Sequence, residues 1–185
     1  IGGFSTHDLS IGYFGSAAID MVAIVFMILA GINFSLHFFA WRNVSIRHYR
    51  QDPEFRAYMF VLLMLSAIVI TSLSLLGTYT DWDATVINGL CQSVSIATTT
   101  GFTTANYAAW PGALPVMLIF ASFVGGCAGS TGGGIKVIRW LLIAKQGARE
   151  IVRLVHPNAE IPVKLGNSAV PARVIDAVWG FFSVY

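Results

Sequence analysis

Long apolar runs separated by short charged links set the pattern of this chain. Residues 13–41 are apolar apart from Asp20 and end on the aromatic group His37-Phe38-Phe39-Ala40-Trp41. Residues 42–56 carry Arg42, Arg47, Arg50 and Arg56 with Asp52, Pro53 and Glu54, and residues 57–80 carry no charge. From Ala84 to Ile135 there follow fifty-two residues without one Asp, Glu, Lys or Arg. A single helix of that length would extend about 78 Å at ~1.5 Å per residue. That is more than twice a hydrocarbon core of about 30 Å, so the stretch must fold back.

The flanks indicate how. Asp81 and Asp83 precede the stretch; Lys136, Arg139 and Lys145 follow it. With the basic end cytoplasmic, the chain crosses an odd number of times. One crossing fits in 111–135, so 84–104 must enter and leave on the same side. As a helix, 84–97 reaches about 21 Å deep; 98–104, extended at ~3.3 Å per residue, returns about 23 Å. The expectation is a re-entrant half-helix followed by a stretched strand, Thr98-Thr99-Thr100-Gly101-Phe102-Thr103-Thr104. Non-helical backbone at such depth is tolerated only when buried in protein or lining a watery cavity. Carbonyls on a Thr/Gly strand can replace the hydration shell of a potassium ion, and glycine permits the φ that aims them inward.

Composition agrees with a membrane environment. The 185 residues are 56% hydrophobic and 11% charged, with mean hydropathy +0.70, where soluble domains carry about 25% charged residues. The net charge of +2 says less than its placement: all eleven Lys and Arg lie within 42–56 and 136–173. The outer links hold none, which orients the spans. Cys91 and Cys127 fall in apolar stretches and read as small packed residues, not a disulfide. The start on Ile1-Gly2-Gly3-Phe4 and the stop at Tyr185 inside an apolar run read as a section of a longer polypeptide.

An internal repeat organises the chain. Ile1-Gly2-Gly3-Phe4-Ser5-Thr6 aligns with Thr99-Thr100-Gly101-Phe102-Thr103-Thr104, ninety-eight residues later. The predicted fold is an all-α membrane protein of repeated potassium-channel-like units: span, re-entrant half-helix, extended filter strand, span. Residues 1–56 end one unit, with a filter strand at 1–6, an inward span at 13–41 and a cytoplasmic link at 42–56. Residues 57–155 form a complete unit, with an outward span at 57–80, a half-helix at 84–97, a filter at 98–104 and a broken inward span at 111–155. Residues 156–185 comprise a link, with a hairpin around Gly166 and Asn167, and the start of a further span.

Six glycines in ten residues break that inward span: Gly125, Gly126, Gly129, Gly132, Gly133 and Gly134, with Ser130 and Thr131 among them. Three readings compete. Gly125, Gly129 and Gly133 follow the small-xxx-small spacing of tight helix packing. The run ending Ile135-Lys136 faintly resembles a phosphate-binding loop, but Gly-Lys-Ser/Thr is not contiguous and no strand precedes it. The favoured reading is unwound backbone below the filter, a constriction that gates the pore; each glycine costs a helix ~1 kcal/mol relative to Ala. Asp20 reads either as snorkelling to the outer interface or as attracting cations. Asn33 and His37 read as bonding to neighbouring helices. No nucleophile paired with a base supports an enzyme built on His37 or Cys127, and nothing points to nucleic acid.

Gly2-Gly3-Phe4-Ser5-Thr6, Ala97-Thr-Thr-Thr-Gly101-Phe-Thr-Thr104 and Gly125-Gly-Cys-Ala-Gly-Ser-Thr-Gly-Gly-Gly-Ile-Lys136 resemble the Trk/Ktr/HKT superfamily of potassium transporters. Ala-Gly-Ser-Thr-Gly-Gly-Gly-Ile-Lys is similar to the bacterial TrkH branch. The resemblance implies four repeats around one pore, with this chain holding the end of the second, all of the third and the start of the fourth. It implies potassium held by the carbonyls of Ile1, Gly2, Gly3, Thr99, Thr100 and Gly101, with Phe4 and Phe102 next in line. It implies the glycine run as a gating loop, a homodimer in the bacterial inner membrane, and cytosolic nucleotide-binding regulatory subunits of the TrkA type. A basic residue that the family sets opposite the loop would lie beyond Tyr185. An ion-coupled symporter, or a pore passing sodium as well as potassium, is the alternative on the same scaffold.

Overall fold

The computed structural model describes residues 3–156, 161–166 and 168–185; Ile1, Gly2 and Asn167 lie outside the described residues. After a 3-10 turn, Ser10–Phe14, helix α1 spans Ala17–Ala30. The expected single helix over 13–41 is corrected here. α1 stops at Gly31, and α2, Phe34–Arg42, leaves it at a bend of 94°. The cause is local: Asn33 is extended and its side chain accepts the Ser35 N–H at 2.9 Å, an N-cap that starts a second helix inside the apolar run. The Asn33 side chain thus caps its own helix, and among the described residues it makes no hydrogen bond to a neighbouring one.

α3, Arg47–Gln51, lies in the basic link. α4, Pro53–Leu75, begins four residues before the expected 57 because Asp52 accepts the Phe55 N–H at 2.6 Å and Pro53 sits in the first turn. It ends before Gly77, whose φ is 60°. α5, Trp82–Ala97, follows, then α6, Leu114–Ser122, and α7, Val137–Val155. Between α6 and α7 the chain is non-helical, so α7 starts afresh after Lys136 (φ 78°) and does not continue the preceding helix. A two-residue-per-strand hairpin pairs Lys164 with Ala169 and Leu165 with Ser168, and α8 spans Ala172–Val184. Among the described residues one helix, α4, is alone long and apolar enough to cross a membrane; α1 and α2 pass that test together as a bent pair.

α5 is the centre of the packing. Cys91, Gln92, Ser93, Val94 and Ser95 are all buried. Ile24 and Met27 of α1 pack on Cys91 and Val94, while Leu65, Val69 and Leu73 of α4 share a core with Leu118 of α6. Gly89 lets α5 approach α4 closely: a Cβ there would come within 2.8 Å of Ile70. The outside is the more apolar side. Phe26 of α1, Phe60 and Leu63 of α4 and Phe120 of α6 are exposed, whereas Gln92, Ser93 and Ser95 are interior. That inverted pattern suits a lipid solvent, in which close packing and buried hydrogen bonds, not exclusion of water, hold helices together.

Candidate functional site

The C-terminus of α5 runs directly into the Thr/Gly segment, which is not extended from 98 as expected: Thr98 and Thr99 complete the turn that ends the helix. Thr98 sends its N–H to the Val94 carbonyl at 2.9 Å and its hydroxyl to the same oxygen at 2.8 Å. The Thr99 N–H reaches Ile96 at 3.0 Å and the Thr100 N–H reaches Ser95 at 2.8 Å. These bonds spend the strand's donors on the end of the helix. The carbonyls of Thr98, Thr99 and Gly101 accept no bond from the described residues, while Thr100 accepts the Gly3 N–H at 3.0 Å. Thr99 (φ 58°) and Gly101 (φ 85°) are left-handed and Thr98 is not. In a regular strand successive carbonyls point to opposite sides; changes of hand along 98–101 release them from that alternation. Phe102 is anchored in the α1–α5 cluster with Met27 and Cys91, and Gln92 donates to the Ala105 carbonyl at 2.9 Å behind the strand.

The two segments that align in the sequence meet. Besides the Gly3–Thr100 bond, Gly12 donates to the Thr103 carbonyl at 3.1 Å, and the Thr103 N–H reaches the Ser10 hydroxyl at 3.3 Å. Gly3 has φ 76°, and a Cβ on it would lie 2.7 Å from the Gly101 oxygen. No larger residue fits there without moving the neighbouring strand. Phe4 is exposed.

The glycine run forms a closed loop beneath the strand. Its neck is tied by the Ile135 N–H to the Phe123 carbonyl at 2.9 Å and the Val137 N–H to the Gly126 carbonyl at 3.1 Å. Inside it, Ser130 donates to Cys127 at 2.6 Å, and the Lys136 ammonium bonds to the Gly132 carbonyl. At its top, Gly133 donates to the Thr99 hydroxyl at 2.5 Å, and the backbone of Gly132 passes so close to Thr98 that a Cβ would lie 2.9 Å from that carbonyl. A cavity of about 250 Å³ lies between strand, loop and α1, lined by Met27, Ala30, Thr98, Thr99, Thr131 and Gly132 among others.

The break between α1 and α2 moors this loop. A helix end leaves carbonyls without intrahelical donors, and the loop supplies them. The Cys127 N–H reaches Gly31 at 2.8 Å; the Thr131 N–H and hydroxyl both reach Ala30, at 3.3 and 3.2 Å. In return the Phe34 N–H at the start of α2 binds the Gly129 carbonyl at 3.1 Å. Tyr58 gives its hydroxyl to the Ile28 carbonyl at 3.0 Å, and the Leu29 carbonyl accepts His37 Nε2 at 3.0 Å, which leaves His37 Nδ1 to accept the Tyr49 hydroxyl at 2.7 Å.

The sequence profile of the TrkH family, described as a cation transport protein, matches residues 1–185, the whole chain. This chain belongs to the TrkH family of cation transport proteins. Over 187 aligned residues it is 54% identical to the Trk system potassium uptake protein TrkH of Vibrio parahaemolyticus and 52% to that of Escherichia coli K12. It is 40% identical to the Trk system potassium uptake protein TrkG of the latter organism. The structure superimposes on the crystal structure of the potassium transporter TrkH from Vibrio parahaemolyticus with a TM-score of 0.93 at 53% identity, over 98% of this chain. The chain spans 38–39% of the length of these relatives. The family is one of transporters and not of enzymes, and the all-α class is that of its solved member.

Within this TrkH-family segment, three residues around the loop have no counterpart in the sequence reading. Gly31 reads as one small residue in an apolar run, although Gly31 and Asn33 together are a helix stop and a helix start. Tyr58 reads as part of a span. Glu54 reads as one more charge in a basic link, yet it is 6% exposed, and one oxygen accepts both the Ala128 N–H at 2.7 Å and the Ile138 N–H at 3.2 Å.

Proposed function

We propose that this chain forms part of the wall of a potassium-uptake pathway. In this reading the carbonyls of Thr99, Thr100 and Gly101 act as selectivity-filter ligands, with Ile1, Gly2 and Gly3 in the repeat copy, and Phe4 and Phe102 adjoin them. The glycine loop, carrying Gly125, Gly126, Gly129, Ser130, Thr131, Gly132, Gly133 and Gly134, is the gate. Potassium is the cargo. The relatives' role in potassium uptake supports the ion. The observation that carries the reading is a segment whose N–H groups at 98–101 are spent on the helix behind it while the carbonyls of Thr98, Thr99 and Gly101 accept no bond among the described residues, directly above a closed loop hydrogen-bonded to Thr99. Carbonyl oxygens of this kind replace the hydration shell of an ion in a filter.

The basic links at 42–56 and 136–173 lie on the cytoplasmic side of the inner membrane, in a multi-pass protein that acts as a homodimer with a nucleotide-binding TrkA-type subunit on the cytosolic face. The test is cation flux into liposomes holding the full-length protein, wild type beside Gly101→Ser. The substitution puts a side chain at φ 85° and is expected to weaken or broaden a potassium-selective flux. A wild-type flux that already admits sodium equally would favour a non-selective pore, and flux driven only by a second ion gradient would favour a symporter. Identical selectivity and rate in both proteins would move the filter elsewhere.

A further inference from the structure

We infer that Glu54 is the positioning residue that holds the gate loop shut from the cytoplasmic side. The inference rests on the gate reading above. Glu54 stands in the first turn of α4 and belongs, by sequence, to the link that precedes it. Its carboxylate is buried, and among the described residues it forms no ion pair. Its partners are two backbone donors on either side of the loop's exit: Ala128, inside the loop, at 2.7 Å, and Ile138, in the first turn of α7, at 3.2 Å.

One oxygen thus bridges the moving part and the helix from which it hangs. Donors converge on this acceptor: the carboxylate sits at the N-terminal ends of both α4 and α7, where helix N–H groups lack intrahelical partners. Lys136, the nearest basic residue in the loop, is committed to Gly132 and Ser130. One turn further along α4, Tyr58 binds the Ile28 carbonyl and packs against Gly31. A single face of α4 therefore holds both the loop and the helix break on which the loop is moored. Opening the loop away from the filter must release the Ala128 bond, while the Ile138 bond can remain.

Glu54→Ala, Glu54→Asp and Glu54→Gln in the full-length protein, reconstituted in liposomes, separate this role from a general one. Ala removes the acceptor and Asp withdraws it by one methylene; both are expected to raise the resting potassium flux about tenfold or more, with potassium over sodium preference unchanged. Gln keeps an acceptor oxygen in place and is expected to stay within about threefold of wild type. Maleimide labelling of Cys127, which is buried beside Ala128, is expected to rise at least tenfold in the Ala and Asp proteins, with Cys91 in α5 unchanged. Unchanged flux and Cys127 labelling in both would overturn the proposal. So would a parallel rise at Cys91, which reports general loosening. If Ala does not accumulate in the membrane, the Asp protein decides alone. Gly125→Ala, which perturbs the loop without touching Glu54, serves as the control: flux raised there but not by Glu54→Asp sinks only the role of Glu54, whereas no change in either sinks the gate.

Discussion

Gly125→Ala is the sharpest single test of the closed loop. Gly125 lies at the neck with φ 71°, and the carbonyl oxygen of Gly133 stands where its Cβ would go, with Gly134 Cα at 3.2 Å from that position. Two costs follow. An L-residue in the left-handed region costs about 1–2 kcal/mol. Forcing a methyl against backbone that is already in contact costs about 1–3 kcal/mol more. The obstacle is backbone and cannot rotate away, so a sum near the middle of that range, about 3 kcal/mol, is expected on the closed arrangement. At 1.4 kcal/mol per tenfold, the closed population falls about 100-fold relative to the open one. Rubidium uptake into liposomes of the full-length protein, without any activating partner, should rise until the open state saturates. Gly147→Ala supplies the comparison. It makes the same chemical change in the middle of α7, where nothing described lies within 4 Å. There the methyl should stabilise by about 0.5–1 kcal/mol through helix propensity and leave uptake unchanged. Equal uptake and equal melting temperature for Gly125→Ala and wild type would refute both the tight neck and the loop's role as the barrier.

Further outcomes follow from the same geometry. Asn33→Ala removes the cap that starts α2 and should lower stability by about 1 kcal/mol, read as a fall in melting temperature; no fall would mean that the 94° break between α1 and α2 is held by the loop contacts alone. Tyr58→Phe deletes the hydroxyl bonded to the Ile28 carbonyl at 3.0 Å and should cost about 1 kcal/mol, with the ring still filling its place. Gln92→Leu removes the donor to the Ala105 carbonyl behind the proposed filter segment. It should reduce potassium over sodium preference more than total flux, and a change in flux alone would assign Gln92 to packing.

Much of the architecture is legible in local signals. Fifty-two uncharged residues cannot cross once, and the Thr/Gly segment and the glycine cluster both end the helices before them. Other features hide because hydropathy averages over them. Gly31 and Asn33 leave the mean apolarity of 13–41 almost untouched, yet they divide it into α1 and α2. Asp52-Pro53 starts α4 inside a stretch whose charge marks it as a link. For Glu54, charge is a misleading cue: a carboxylate among arginines reads as solvated, and its burial depends on Ala128 and Ile138, more than seventy residues away.

What this sequence determines by itself is therefore the solvent it requires, the points where helix cannot continue, and membership in a family of cation transporters. Those follow from composition and nearest-neighbour backbone preferences, which act within a few residues. Tertiary structure alone decides which orphaned groups meet: the carbonyls of Ala30 and Gly31 with the loop, the Thr99 hydroxyl with Gly133, and the Glu54 carboxylate with the start of α7. A broken helix in an apolar medium exposes donors and acceptors that must be satisfied somewhere, but the sequence states only the need. The partner is chosen by the packing that brings distant ends to hydrogen-bond distance, 3.3 Å or less.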